Sequence, residues 1–162
     1  MSLTATRARE LLNYDPETGN LTWRFTRRGI SGGRIAGSVS TAIGYRLVRV
    51  DHRSYYAHRL VWLIVHGEWP AAEIDHINSD GTDNRLCNLR QADSTHNKCN
   101  RGRRRDNTSG YKGVGFHAQT GKWRARVRYR GTWTEAGLHP TPQAAHEAYK
   151  RVAAEIHGRF AR

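Results

Sequence analysis

Apolar and polar positions change rhythm several times along the chain, and each change marks an element. Residues 4–13 bring Ala8, Leu11 and Leu12 to one side at helical spacing, which predicts a short helix. Asp15-Pro16-Glu17-Thr18-Gly19 then reads as a turn, since proline presets φ and glycine tolerates a positive one. Leu21-Thr22-Trp23-Arg24-Phe25 shifts to a period of two, the pattern of a half-buried strand. The glycine-rich stretch 29–37 is expected as a loop or a pair of tight bends. Residues 45–50 (YRLVRV) form a further strand, turned back through Asp51–Ser54 into Tyr55-Tyr56 as a hairpin. His58 to His66 (HRLVWLIVH) is apolar nearly all round, which favours a buried helix stopped by Gly67.

Beyond residue 70 the apolar runs shorten. Ile74, Ile77, Leu86 and Leu89 flank a polar loop from Asn78 to Asn84, and Ser94 caps a helix expected to reach about Arg101. Residues 101–110 (RGRRRDNTSG) lack apolar side chains and have the composition of a linker. Strands are then predicted over Tyr111–Phe116, Lys122–Tyr129 and Thr132–Leu138, with Gly121 and Gly131 in the turns. Thr141 as N-cap and Pro142 at the first helical position open a helix. Ala145, Ala148, Tyr149, Val152 and Ile156 recur along it at helical spacing, and Gly158 ends it.

Charge divides the chain unevenly. The net charge is +13; residues 1–92 hold 12 Arg and Lys against 9 Asp and Glu, whereas residues 93–162 hold 15 against 5. A basic half of this kind is the electrostatic footprint of a polyanion partner. Arginine dominates, with Lys98, Lys112, Lys122 and Lys150 the only lysines, and arginine suits bidentate contacts to phosphates and guanine edges. Cys87 and Cys99 are the only cysteines and do not form a CxxC, so a Cys₄ zinc site is excluded and two reduced thiols are expected. No apolar run approaches the roughly 20 residues of a membrane span, and the N-terminus lacks a signal-peptide pattern. A soluble protein of the cytoplasm, in a bacterial or phage-infected cell, is the expectation.

The most informative residues are Asp75-His76, then Asn88 in an Asn-Leu-Arg context twelve positions after the histidine, then Asn97 nine positions further on. With the upstream run Ala57-His58-Arg59-Leu60-Val61-Trp62, this set resembles the HNH nucleases, particularly the phage and intron homing type. The resemblance covers residues 57–101 closely. Its third letter is Asn97 rather than histidine, a variation that occurs in that family. The chemistry is coherent on its own terms. His76 is the candidate general base. Asp75 and Asn97 offer hard oxygen ligands to a divalent metal ion, with Mg²⁺ the expected one. Asn88 is expected to hold the histidine ring through a hydrogen bond. Asn84 is read as a turn former, and His96 as no more than a phosphate contact. Neighbours on a regular strand point to opposite faces, so Asp75 and His76 can share a site only at a strand end or kink.

Lys122-Trp123-Arg124-Ala125-Arg126-Val127-Arg128-Tyr129-Arg130 alternates strictly. Lys122, Arg124, Arg126, Arg128 and Arg130 are expected on one face without an acid, and Trp123, Ala125, Val127 and Tyr129 on the face that packs on the helix. Tyr111-Lys112-Gly113-Val114, Gly121-Lys122-Trp123 and Ala144–Tyr149 resemble the APETALA2/ethylene-response-factor domain, over residues 107–161. In that family the sheet reads DNA. The resemblance places Lys112, His117, Arg126, Arg128 and Trp133 at or near contact positions, while Gly115 stands where plant members often carry arginine.

The expected fold class is α+β: a ββα-metal HNH core plus a three-stranded antiparallel sheet packed on one helix. The expected domains are an N-terminal β-rich segment (1–56), the nuclease core (57–101), a linker (102–110) and a DNA-binding domain (111–162). The expected function is a metal-dependent, homing-type DNA endonuclease, monomeric and acting on double-stranded DNA, with no membrane partner and no small-molecule substrate. A DNA-binding regulator with a decayed nuclease core is the rival of a different class, and a structure-selective or RNA-cleaving nuclease is the second.

Overall fold

A computed structural model of the chain describes residues 3–26, 29, 31–93 and 106–160. The fold is mixed α and β, with several small antiparallel sheets. It divides into two compact units, Met1–Ala92 and Asp93–Arg162.

In the first unit α1 (Ala5–Leu11) is capped by the Thr4 hydroxyl, which accepts from the Arg7 amide at 3.2 Å. The helix stops earlier than its periodicity predicts. Leu12, 1% exposed, turns to extended backbone and opens β1 (Leu12–Tyr14), which pairs antiparallel with β2 (Leu21–Trp23). Strand pairing thus overrides a marginal helical preference at residues 12 and 13. Between the two strands, the Asp15 carboxylate accepts from the Glu17 amide and the Thr18 hydroxyl and shapes the predicted turn.

A second sheet has the order β3 (Ser38–Val39), β4 (Arg46–Val50), β5 (Arg53–Tyr56). Asp51 and His52 both adopt positive φ, as a two-residue hairpin turn requires, so β5 begins at Arg53 rather than after Ser54. The chain then enters α2 (Ala57–His66), whose end is the left-handed Gly67. Ala57, Leu60, Val61 and Leu63 of α2 are all within 1% of complete burial. They belong to one core that runs from Leu3 through Leu12, Leu21, Val48 and Val50 to Ile74 and Leu89. Truncation of a side chain such as Leu60 to alanine there costs about 2–5 kcal/mol. On this core lies a ribbon of β6 (Glu73–His76) and β7 (Leu89–Ala92), joined by the polar loop and a short 3₁₀ turn at Leu86–Asn88. The helix expected from Ser94 lies outside the described residues.

The second unit is a three-stranded antiparallel sheet with β9 (Lys122–Tyr129) between β8 (Val114–His117) and β10 (Thr132–His139). It packs on α3 (Pro142–His157), whose N-cap Thr141 accepts from the Ala144 amide. Val114, Ala125, Val127, Ala145, Tyr149 and Ala153 form its core. Residues 107–110, expected within the linker, are tied to this sheet: the buried Ser109 hydroxyl donates to the Val114 carbonyl at 2.8 Å. The Asn107 side-chain amide donates to the Tyr111 carbonyl at 2.8 Å.

Candidate active site and nucleic-acid interface

The β6–β7 ribbon sets Asp75 opposite Arg90 and His76 opposite Leu89. Consecutive residues leave a regular strand on opposite faces, and His76 is the last residue of β6, the strand end at which the two side chains can share a site. Both are buried, at 5% and 3% exposure.

His76 closes β6. Its Nε2 lies 3.1 Å from Oδ1 of Asn84, itself 2% exposed. The Asn84 Nδ2 donates to the Thr82 carbonyl at 3.2 Å, which turns Oδ1 toward the ring. An amide oxygen only accepts, so Nε2 of the imidazole is the donor in this hydrogen bond. Aromatic rings pack around it. His58 of α2 meets it edge-on with centroids 5.0 Å apart, and Tyr45 lies at 5.7 Å. Burial, followed by the charges of His76 and Arg59, pushes His58 down to about 3, so His58 is neutral at physiological pH.

Asp75 is paired across the ribbon. Arg90 donates to its Oδ2 through Nε at 2.9 Å and Nη2 at 2.7 Å, and both side chains are largely shielded from water. A buried carboxylate is a hard donor of the kind a divalent cation takes, and a cation there would share Asp75 with the guanidinium. Among the described residues no three His, Cys, Asp or Glu converge as a metal cluster. Asn97, the other expected ligand, lies outside the described residues, as does His96.

The ring contact expected of Asn88 is made by Asn84 instead. Asn88 serves the loop: its Oδ1 accepts from the Asn78 amide at 3.0 Å, and its Nδ2 donates to Asn78 Oδ1 at 3.0 Å and to the Asp83 carbonyl at 2.8 Å. Its own carbonyl accepts from the Ile77 amide at 2.9 Å. Asp83 is fixed in turn by Arg85, whose Nε and Nη2 reach its two oxygens at 2.8 and 2.7 Å. Those bonds hold the Asp83 carboxyl down at about 2. Asn88 therefore shapes the 77–88 loop, and the loop delivers Asn84. Asn84, Tyr45 and His58 are members of this group that the sequence does not reveal. Nothing in local periodicity distinguishes one loop amide from another.

In the second unit the β9 ladder is present but shorter and less uniform than its alternation suggests. Ala125 and Val127 face α3 and are buried, Trp123 and Tyr129 are half-buried, and Arg128 is exposed. Trp133 pairs with Arg128 in register and is 48% exposed. The Arg126 guanidinium lies 4.2 Å from its ring centroid and that of Arg128 5.5 Å, both within cation–π range. An acid does stand on this face. Glu135 accepts from Arg124 Nε at 2.9 Å, and the pairing lowers the Glu135 carboxyl below its usual range. Arg130 leaves the ladder: β9 ends at Tyr129, and Arg130 sits in the turn with φ 48°. Lys122 is exposed opposite His117, whose Nδ1 is 3.0 Å from the Thr120 hydroxyl. Lys112 precedes β8 and is half-buried.

No helix among the described residues is long and apolar enough to cross a membrane. Residues 55–98 match the family described as HNH endonuclease, a segment that runs from the end of β5 through the β6–β7 ribbon. The chain is also 30% identical to "Protein 3.8" of Escherichia phage T7 over 120 residues, which is 71% of this chain and 98% of that protein. No solved structure matches. An HNH endonuclease domain implies DNA as substrate, and HNH nucleases generally use a divalent metal ion.

Proposed function

Because the chain belongs to the family of Protein 3.8 of Escherichia phage T7 and carries an HNH endonuclease domain, we propose that it is a metal-dependent DNA endonuclease. The observation that carries this reading is the buried hydrogen bond between His76 Nε2 and Asn84 Oδ1, which fixes the orientation of the ring. His76 is the general base that takes the proton of the attacking water. Asn84 and the packed rings of Tyr45 and His58 fix its aim, and Asn88 keeps the loop in shape. Asp75 and Asn97 are the residues that hold the divalent cation, with Mg²⁺ our choice. When bound, that ion supplies positive charge against the phosphate and leaving oxygens. Asp75 as a buried carboxylate supports the assignment.

The second unit is the DNA-binding half of this proposal, in the manner of an APETALA2-type sheet. Lys122, Arg124, Arg126, Arg128 and Trp133 lie on or beside its open face, with Lys112, His117 and Arg130 at its margins. The biological role we assign is a phage homing-type endonuclease. Supercoiled plasmid incubated with Mg²⁺ tests the proposal. Nicking by the native chain, abolished in His76→Ala while DNA binding persists, is the expected result.

One observation favours a second reading, a DNA-binding regulator without cleavage: the guanidinium of Arg90 already occupies Asp75. Retention of plasmid in a gel shift without nicking in Mg²⁺ or Mn²⁺ would select it.

A further inference from the structure

The segment that matches the HNH family begins at residue 55, yet part of the scaffold around His76 comes from far upstream. The Tyr14 hydroxyl, at the end of β1, accepts from the Leu86 amide at 2.9 Å and lies 3.4 Å from the Asn84 carbonyl, to which it donates. One side chain thus bonds the backbone on both sides of Arg85. The turn that follows β1 reinforces the contact. Gly19 has φ +73°, and a Cβ built on it would lie 2.4 Å from the Arg85 nitrogen and 2.6 Å from the Asn84 carbonyl carbon. The 84–86 backbone is therefore seated directly on the β1–β2 hairpin, where no side chain fits. Asn84 is the residue whose amide oxygen meets the His76 ring at 3.1 Å.

We propose that the Tyr14 hydroxyl is a positioning group for the nuclease site: by fixing the backbone of residues 84–86 it sets Asn84 where it holds His76 in the Nε2–H tautomer. This rests on the reading of His76 as general base. Tyr14 does not touch the reacting atoms; it acts through Asn84. Asp15, whose carboxylate shapes the turn carrying Gly19, supports the same contact at one remove.

The test uses the full chain and Tyr14→Phe, which keeps the ring and deletes only the hydroxyl. The expected result is a fall of about ten- to a hundred-fold in the plasmid-nicking rate at saturating DNA, up to the scale of a misplaced catalytic group. DNA Kd should stay within error of the parent and Tm should fall by only a few degrees, since the Leu86 amide and Asn84 carbonyl lose one partner. In an Asn84→Ala background the same change should produce no further loss, because both substitutions break one path. The His76 ring nitrogens in a ¹⁵N-correlated NMR spectrum supply a readout that needs no activity. The parent should show protonated Nε2, and Tyr14→Phe should move the ring toward a mixture of tautomers. An unchanged nicking rate, an additive loss in the Asn84→Ala background, a loss that follows Kd or is removed by assaying well below the variant's Tm, or an unchanged ring spectrum would each overturn the proposal. A parent chain that fails to nick at all would remove the nuclease reading, and the ring spectrum would then decide the positioning role alone.

Discussion

The two units handle polar side chains in opposite ways. In Met1–Ala92 the polar residues of the site are hidden: Asp75, His76, Asn84 and Asn88 are each at most 7% exposed, with His76 bonded to Asn84, Asp75 to Arg90, and Asn88 to Asn78 and Asp83. In Asp93–Arg162 the corresponding residues sit on a sheet face open to water, where Trp133 is 48% exposed between two arginines. The difference separates two kinds of work. A buried hydrogen-bonded network fixes one atom relative to another, and it fails abruptly when a member is removed. An exposed arginine surface supplies charge that adds roughly one phosphate at a time and fades with salt. Aiming a base needs the first; holding a polyanion needs the second.

The sharpest way to break this contrast is to remove the base. His76→Ala should lower nicking by about 10²–10⁴-fold, the usual worth of a general base, while leaving DNA affinity within about two-fold. Parallel loss of cleavage and binding would mean that His76 holds the fold or the DNA rather than the water.

The buried network also predicts a pH dependence that belongs to the first unit. His58 has an unfolded value near 6.5 and is pushed down to about 3 in the fold, chiefly by burial. Its stabilising contribution is complete above pH 6.5 and is lost as pH falls from there toward 3, because the unfolded chain takes up the proton first. Between pH 6.5 and 5.0 that loss amounts to about 2 kcal/mol. Urea unfolding of the parent and of His58→Phe measures it: the parent should lose more stability than the variant over this interval. Parallel curves would show that His58 accepts its proton without cost.

How far these residues were legible in the chain depends on the range of the interactions that place them. The helix at Ala57–His66, the β4–β5 hairpin and the apolar side of β9 follow from short-range rhythm, and local pattern locates each of them. The choice between Asn84 and Asn88 does not. Both are amides of one polar loop, and the one that meets His76 is selected by Tyr14 and Gly19, about 70 positions earlier. Leu12 escaped the helix for a similar reason, since its partner Trp23 lies across a turn. Glu135 was invisible on the ladder because only the β9–β10 register brings it beside Arg124 and Arg126.

The open face should respond in graded fashion. Arg126→Ala combined with Arg128→Ala should weaken DNA binding and reduce the slope of log K against log salt by about 2, one for each phosphate left without its guanidinium. The single variants should each account for about half of that change. Nicking at saturating DNA should be preserved, which separates this surface from the buried group. An unchanged slope would move the interface to another face of the unit.

The smallest effect concerns Glu135, and it sharpens the contrast most finely. This carboxylate is the acid on an otherwise basic ladder, and it occupies Arg124 through an exposed ion pair. Exposed pairs of this type add little to stability, so its consequence should be felt by the DNA rather than by the fold. Glu135→Gln keeps the shape, removes one negative charge and releases the Arg124 guanidinium toward phosphate. DNA affinity should rise by about two- to three-fold at moderate salt, and the salt slope should steepen by up to about 1. Tm should stay within about one degree, since the pair is open to solvent. Combining Glu135→Gln with Arg124→Ala should erase the gain, because the released arginine is its cause. A gain that survives this combination would assign the effect to general charge on the sheet, and a large fall in Tm would show that an exposed pair can be as structural as the buried one between Asp75 and Arg90.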